Sequence, residues 1–390
     1  MEQSVTDADD LLRRARELAD GPLSERAAGY DETRQFPIEN YSDLHRAGLL
    51  ALTVGRDHGG RGADWHLYTD VVRTLASGCA STALTFNMHS TVLRLIDALG
   101  SPEQKEEVFG AVVDEGALVA SLTSEPQSSL RGRFQFQTRA TVSDDSFVIN
   151  GMKHFASLAP VARWYFTWAI DEQAGGASGL YTVLVPAGTP GLTIHETWNT
   201  MSMRATASHS VEFKDVTVPR ANQVGQAGEL ATNGFTDMFT PGYCSVYTGV
   251  AEAAYRFTVD YATSTVFAPE TLPISHYPAV QRQVAEMSTR LAAARQLIRM
   301  AAEAATTKTP TERVLEFNQT KLFACQAARE VVDIALDVCG GRALSKKYPL
   351  ERYIRDAHTG NVMSPDADSC RDLIAKKELG ISITPGFLQL

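Results

Sequence analysis

The sequence has no run of about eighteen consecutive apolar residues, the length that a membrane-spanning helix needs. Its N-terminus, Met1–Ser4, lacks the basic and apolar regions of a secretory signal, so we expect a cytoplasmic protein. Cysteine is scarce, because only five cysteines occur, scattered at positions 79, 244, 325, 339 and 370. An odd, scattered set favours reduced thiols over a disulfide framework or a zinc site, so no metal site is predicted.

Positive charge is also in short supply. The chain has 36 lysines and arginines against 46 aspartates and glutamates, which gives a formal net charge of −10. This balance argues against general affinity for nucleic acids or for anionic membranes. It does not exclude a small polyanionic ligand, which needs only a local basic rim.

The hydrophobic pattern changes its period twice along the 390 residues. Apolar residues recur at helical spacing up to residue 118, and Ser101–Gln104 reads as a capping box that starts a helix. Strand-like runs follow, among them Val119–Ser124, Phe147–Ile149, Trp164–Ala169, Leu180–Val185 and Val211–Phe213. After Pro219 the helical period returns, for example in Val280, Val284, Met287, Leu291, Ala294 and Ile298. We predict an α+β chain with a helical domain 1–118, a β domain 119–222 and a helical bundle 223–390.

A glycine pair, Gly340-Gly341, ends a long apolar-periodic stretch near the C-terminus. Alone, such a pair most simply predicts the end of a helix. Here it is followed by Pro349–Arg352 (PLER) and by Arg355–Ala357 (RDA). The whole string resembles the GG…PLER…RDA signature of the acyl-CoA dehydrogenase superfamily, and this resemblance implies that the glycines lie against the adenosine-diphosphate half of FAD.

Three further blocks resemble the same family, so that the likeness covers nearly the whole chain. They are Leu122–Pro126 (LTSEP), Asn150–Ser157 (NGMKHFAS), and Met201–Ser208 (MSMRATAS) with the following Val211–Pro219. The resemblance implies the acyl-CoA dehydrogenase fold, with an N-terminal helical domain, a middle β-barrel or sandwich domain and a C-terminal four-helix bundle. It also implies a shared FAD site, and hence a homotetramer or homodimer.

The family's flavin contacts can be carried over to individual residues. Hydroxyl and backbone groups at strand ends would bond the pyrimidine edge of the flavin, and an aromatic ring would pack against it. The implied FAD-binding residues are Leu122, Thr123, Ser124, Phe155, Ser157, Gln281, Gly340 and Gly341. No arginine stands near 265–268, where the family has one for the partner subunit's FAD.

The residue that the family uses as its catalytic base is missing. Counting on from Arg355, the position of the catalytic glutamate falls on Ser364, and an alternative glutamate position falls on Phe239. An unactivated hydroxyl is too weak a base to take an α-proton. Asp366 is the nearest carboxylate and our first candidate, although a cap or solvated position on the final helix is the more usual interpretation of such a residue. Tyr243, one helical turn beyond Phe239, is the next candidate.

The substrate side is predicted less sharply. The resemblance implies that Phe239, Tyr243 and Arg204 lie near the substrate. His89 lies in an apolar helix, where a buried structural histidine is the default interpretation and a catalytic imidazole is the alternative.

The resemblance favours α,β-dehydrogenation of an acyl thioester, carried by coenzyme A or by an acyl carrier protein, with transfer of electrons to an acceptor. Flavin-dependent monooxygenases of the same fold, which use reduced FMN or FAD and oxygen, are the alternative. Ser157, Thr359 and Pro365 fit parts of their pattern, but their histidine aligns with Met363. A redox-inactive thioester-binding protein is a third possibility.

Overall fold

A computed structural model describes residues 2–126, 136–171, 173–174, 179–232 and 238–383. The first part is helical. Its helices are α1 (Glu2–Leu18), α2 (Ser24–Thr33), α3 (Ile38–Arg46), α4 (Trp65–Gly78), α5 (Ala80–Leu99) and α6 (Pro102–Glu115), and a π-helical turn at Ala19–Leu23 joins the first two.

Local capping explains where two of these helices begin. The hydroxyl of Ser101 accepts a hydrogen bond from the backbone N–H of Gln104 at 3.2 Å, and the Gln104 side chain accepts one from the N–H of Ser101 at 3.1 Å. The predicted capping box at the start of α6 is therefore confirmed. Asp64 caps α4 in the same way, because its carboxylate accepts from the N–H of Leu67 at 2.8 Å.

Seven strands form one sheet in the middle of the chain. They are β1 (Val119–Leu122), β2 (Arg139–Val142), β3 (Ser146–Ala156), β4 (Trp164–Asp171), β5 (Leu180–Pro186), β6 (Leu192–His195) and β7 (His209–Pro219). The order is β1-β4-β2-β3-β7-β6, with β5 paired to β4. Strand β4 runs parallel to β1 and β2, and the other pairings are antiparallel. Strand β1 ends at Leu122, two residues earlier than the sequence predicts, so Thr123 and Ser124 lie in the turn that follows it.

The C-terminal part is helical again. Its helices are α7 (Glu229–Thr232), α8 (Thr240–Ser264), α9 (Pro278–Thr307), α10 (Val314–Cys339), α11 (Leu350–Thr359) and α12 (Ala367–Glu378). Helix α8 is buried along most of its length and packs against α4, α5, α9, α10 and α11. The helix–sheet–helix order agrees with the predicted fold.

Two glycines let α8 approach the N-terminal helices closely. A Cβ at Gly249 would stand 2.2 Å from the carbonyl oxygen of Arg73 in α4, and one at Gly242 would stand 1.7 Å from the side-chain oxygen of Asn87 in α5. Neither position has room for a side chain, so both glycines are required by packing. Beside the first contact, Glu252 of α8 accepts two hydrogen bonds from Arg73, both at 2.9 Å.

All five cysteines are buried and free, as the scattered pattern predicts. None of the helices in the described ranges is both long and apolar enough to cross a membrane.

Candidate functional site

A buried ion pair joins two of the sequence blocks that resemble the family. Lys153 of β3 donates to Glu125, just beyond β1, with a distance of 2.6 Å between its ammonium nitrogen and Oε1, and both side chains are fully buried. Glu125 also accepts from the backbone N–H of Thr138 at 3.1 Å. Burial alone would raise the pKa of Glu125, but the charge of Lys153 and these hydrogen bonds hold the pKa below its usual value. The pair therefore fixes the end of β1 against β3.

The side chain of Phe155 is exposed to solvent beside this ion pair. The backbone N–H of His154 donates to the carbonyl oxygen of Ser124 at 2.8 Å, which draws the two segments together. Phe155 then adopts φ = +53°, and its side chain is 63 % exposed, with its ring edge-on to Trp198 at 5.9 Å between centroids. An aromatic residue held exposed in a strained conformation indicates a ligand site, and a flat ring system such as a flavin fits it.

Three buried hydroxyl groups form a chain immediately behind Phe155. Ser157 Oγ lies 2.8 Å from Ser208 Oγ, and Ser208 Oγ lies 2.7 Å from Thr206 Oγ1. Thr206 donates in turn to the carbonyl oxygen of Met203 at 3.0 Å, and the indole N–H of Trp198 donates to the same oxygen at 3.0 Å. The block at 150–157 is thereby joined to the block at 201–208.

Residues of helix α11 form hydrogen bonds with the 201–208 segment. The backbone N–H of Met203 donates to the carboxylate of Asp356 at 2.7 Å, and Arg355 donates to the carbonyl oxygen of Met201 at 2.7 Å. Arg355 also binds Asp31 at the end of α2, with a shortest distance of 2.6 Å. Burial raises the pKa of Asp356 to about 6.

Arg204 connects domains in this structure. Its Nε donates to the carbonyl oxygen of Asp31 at 2.7 Å, and its Nη1 donates to the carbonyl oxygen of Thr200 at 2.9 Å. These bonds clamp the 201–208 segment to α2. A contact between Arg204 and substrate stays a prediction, because the contacts that we see are structural.

The glycine turn after α10 is open. Gly340 has φ = +68°, a conformation that favours glycine, and Gly341 begins a short 3-10 turn, Gly341–Leu344. A Cβ on either glycine would meet no atom within 4 Å. The chain's own packing therefore leaves space beside Gly341, as a closely bound dinucleotide would require. Gln281, in the first turn of α9, is exposed and donates to the carbonyl oxygen of Ser275 at 3.1 Å.

The loop that carries Ser364 is held by a buried lysine that the sequence analysis missed. Lys321 of α10 donates to the carbonyl oxygens of Gly360 at 2.7 Å and Met363 at 3.3 Å. The signal was present in the sequence, because Lys321 stands four residues after Phe317 and four before Cys325 on a buried apolar face.

Asp366 is a helix cap in this structure. Its carboxylate accepts from the backbone N–H groups of Asp368 at 3.0 Å and Ser369 at 3.1 Å, and from the hydroxyl of Ser369 at 3.2 Å. These bonds stabilise the ionised carboxylate at the start of α12. They also fix the carboxylate to the start of the helix. The role of Asp366 as a base stays a prediction, and it requires some of these hydrogen bonds to break.

One face of α8 lines the expected substrate side with aromatic rings. Phe239 and Tyr243 stack with 6.0 Å between ring centroids. The Tyr243 hydroxyl donates to the sulfur of Met88 at 3.5 Å, and one turn later the Tyr247 hydroxyl donates to the sulfur of Met363 at 3.4 Å. Burial raises the pKa of Tyr243 well above its usual value, so its phenol is protonated at neutral pH.

His89 is buried between α5 and β1. Its Nδ1 accepts a hydrogen bond from the backbone N–H of Val119 at 3.1 Å, and burial lowers its pKa to about 4. The imidazole is therefore neutral and bound to the backbone, as the structural interpretation of this histidine expects. A catalytic role for His89 stays a prediction.

Comparisons with known proteins agree with this arrangement. Profiles described as "Acyl-CoA dehydrogenase, N-terminal domain", "middle domain" and "C-terminal domain" match residues 6–115, 120–216 and 242–364. The "Putative acyl-CoA dehydrogenase YdbM" of Bacillus subtilis (strain 168) is 31% identical over 356 residues, which cover 87% of this chain and 88% of that protein. The chain belongs to the acyl-CoA dehydrogenase family. Family membership confirms the predicted fold and the prediction of an FAD-dependent oxidoreductase.

Solved structures of the acyl-CoA dehydrogenase fold match over nearly the full length. Butyryl-CoA dehydrogenase from Megasphaera elsdenii has a TM-score of 0.89 at 25% identity, covering 96% of this chain and 98% of that one. A complex of TdsC from Paenibacillus sp. A11-2 with FMN and indole has a TM-score of 0.88 at 23% identity, covering 97% of this chain and 99% of that one. The second likeness shows the fold alone.

Proposed function

We propose that this acyl-CoA dehydrogenase family member catalyses FAD-dependent α,β-dehydrogenation of an acyl thioester. The observation that carries the proposal is the juxtaposition at the edge of the sheet, where Lys153 and Glu125 lock two segments together and leave the ring of Phe155 exposed. FAD bound there supplies a two-electron acceptor. The chain's own residues position the cofactor and the acyl chain around it.

The cofactor contacts are divided between two parts of the chain. Strand β1 ends at Leu122, and Thr123 and Ser124 follow it. Strand β3 ends just after Phe155, and Ser157 follows it. These five residues are proposed to hold the flavin ring. Gly340, Gly341 and Gln281 are proposed to hold the adenosine end. Val280, next to Gln281, and Val338, two residues before Gly340, belong to one apolar cluster, which supports this assignment.

A second copy of the chain is proposed to complete the cofactor site. Large apolar side chains are exposed around the glycine turn, namely Val266, Leu272 and Leu344. The guanidinium of Arg342 lies 5.0 Å from the ring centroid of Phe267 and ties this loop to the turn. Exposed large apolar side chains on neighbouring segments favour association. A homodimer or homotetramer is the proposed state.

The proposed acyl-binding wall consists of aromatic and thioether groups. Phe239, Tyr243 and Tyr247 share one face of α8, and the sulfurs of Met88 and Met363 contact the two tyrosines. Such a wall binds an apolar acyl chain, whether coenzyme A or an acyl carrier protein carries it. Protonated phenols and thioethers are poor proton acceptors, so this wall binds rather than reacts.

Removal of the α-proton also needs a base. Asp366 is the carboxylate nearest in sequence to Ser364, and it accepts three hydrogen bonds from the first turn of α12. Asp366 is therefore proposed as the base, and the hydrogen bonds from α12 must be exchanged for it to act. Ser364, His89 and, despite its protonated phenol, Tyr243 are the remaining candidates among the predicted residues.

The test is anaerobic mixing of the FAD-loaded protein with acyl thioesters of several chain lengths. Bleaching of the flavin absorbance by a thioester alone supports dehydrogenation, since the electrons come from the substrate. A loaded protein that no thioester bleaches, but that hydroxylates a substrate when reduced flavin and oxygen are supplied, would establish the monooxygenase alternative instead. The sequence observation behind that alternative is that Ser157, Thr359 and Pro365 fit parts of the monooxygenase pattern. A protein that takes up neither FAD nor FMN would leave the redox-inactive thioester-binding function.

A further inference from the structure

The hydrogen bonds behind Phe155 allow one arrangement of their protons. Ser157, Ser208 and Thr206 each have one hydroxyl proton, and a carbonyl oxygen has none. Thr206 must therefore donate to the carbonyl oxygen of Met203, which leaves Thr206 to accept from Ser208. Ser208 must then accept from Ser157. All three protons are thus used within the chain, and Ser157 has none left to donate to another group.

Burial makes this direction costly to reverse. The three hydroxyl residues are at most 5 % exposed, so water cannot readily replace a lost partner. In the reversed chain, the lone pairs of Thr206 would face the carbonyl oxygen of Met203 at 3.0 Å. A buried contact between two acceptors forfeits a hydrogen bond and adds repulsion.

The consequence is that Ser157 can accept a hydrogen bond from a bound molecule but cannot donate one. The isoalloxazine ring of a flavin gains N–H groups when it is reduced, and hydrogen bonds to its ring nitrogens tune its potential. We infer that Thr206 and Ser208 are positioning residues that, by fixing the Ser157 hydroxyl as an acceptor, raise the reduction potential of the bound flavin. The inference rests on the proposed function, because it needs a flavin beside Ser157.

The experiment is a spectroelectrochemical titration of the FAD-loaded full chain and of the variant Thr206→Val, which keeps the shape of the side chain and removes the hydroxyl. Without Thr206 as acceptor, Ser208 and Ser157 are free to turn their protons outward. The midpoint potential should fall by about 30 mV, which for a two-electron couple corresponds to a tenfold loss of preference for reduced over oxidised flavin. Thr206→Ser keeps the hydroxyl and should restore the wild-type potential.

Thr320→Val is the matched control, because Thr320 is a buried threonine between α10 and α9 that donates to the carbonyl oxygen of Leu297 at 3.0 Å. The midpoint potential of the flavin in this variant should equal that in the wild type. Ser208→Ala breaks the same chain at another point and carries the test if Thr206→Val does not fold. In a Ser157→Ala background, Thr206→Val should cause no further shift.

Two failures are distinguishable. Unchanged potentials in Thr206→Val and Ser208→Ala, both with FAD bound, overturn the inference and leave the proposed function standing. A wild-type chain that takes up no FAD overturns the proposed function itself, and the inference with it.

Discussion

The ammonium of Lys321 lies 2.7 Å from the carbonyl oxygen of Gly360, across the gap between α10 and the loop that ends at Ser364. Lys321 is almost fully buried, and it has no carboxylate partner in the ranges that the structure describes. Its charge is stabilised by backbone carbonyl groups, and these hydrogen bonds anchor the loop to α10. Removing that anchor should therefore affect both stability and the acyl-binding wall.

The first prediction is that Lys321→Met lowers the free energy of unfolding by about 2 kcal/mol or more, because two buried carbonyl groups lose their donor. Urea denaturation followed by circular dichroism measures the change. Lys376→Met, at an exposed lysine that pairs with Asp372, is the control and should change little. Equal stabilities of the two variants would contradict the anchoring role.

The second prediction separates the base from the cap. Asparagine caps helices about as well as aspartate, so Asp366→Asn should fold normally and bind FAD. If Asp366 is the base, its turnover should fall by about two orders of magnitude or more. Asp368→Asn, at the neighbouring exposed carboxylate, should keep wild-type turnover. Turnover of Asp366→Asn within a few-fold of the wild type would move the search to Tyr243.

The third prediction concerns pH. The pKa of buried Asp356 is raised to about 6 from an ordinary value of 3.8, so the folded state holds this proton more tightly than the unfolded state does. The stabilisation by the protonated carboxyl is fully present below the ordinary value and is lost as the pH rises through about 6. Between these limits it amounts to at most about 3 kcal/mol.

Asp356→Asn should therefore match the wild type in acid and be the more stable of the two at neutral pH. The asparagine keeps an acceptor oxygen for the N–H of Met203, so the 201–208 segment stays in place. Urea denaturation at several pH values measures the difference. Asp144→Asn, at an exposed turn, is the control. The same pH slope in Asp356→Asn as in the wild type would show that another group causes it.

The fourth prediction uses the open space beside Gly341. Because a Cβ there meets no atom of the chain, Gly341→Ala should change the free energy of unfolding by no more than about 0.5 kcal/mol. If the adenosine end of FAD lies against this glycine, the dissociation constant of FAD should rise about tenfold, a cost of about 1.4 kcal/mol. Flavin fluorescence titration of the apoprotein measures it. Gly110→Ala, at an equally open position in α6, should bind FAD normally.

Local signals predicted the helices and the order of the domains well. The capping box at Ser101 depends on residues within four positions, and the alternation of apolar and polar residues that marks the strands is equally local. The sequence extends β1 two residues too far, because Thr123 has strand-forming character and the ion pair just beyond the strand joins Glu125 to Lys153, a distant residue.

Side-chain partners across the fold could not be predicted in the same way. Arg204 binds the carbonyl oxygen of Asp31, 173 positions away, and no pattern around either residue announces that contact. Asp366 illustrates a second limit. The sequence allowed it to be a base or a cap, and only the three-dimensional position of α12 shows which of its hydrogen bonds are formed.

The edge-on placement of Trp198 against Phe155 makes the site its own optical reporter. Flavins absorb where indoles emit, so a cofactor stacked on Phe155 would quench the emission of Trp198 by resonance energy transfer. The indole N–H also donates to the carbonyl oxygen of Met203, so the emission of Trp198 would also change with any shift of the 201–208 segment. The difference between the emission of the wild type and that of Trp198→Phe would isolate this residue from the other three tryptophans. Cofactor loading could then be followed in real time, without knowledge of the substrate.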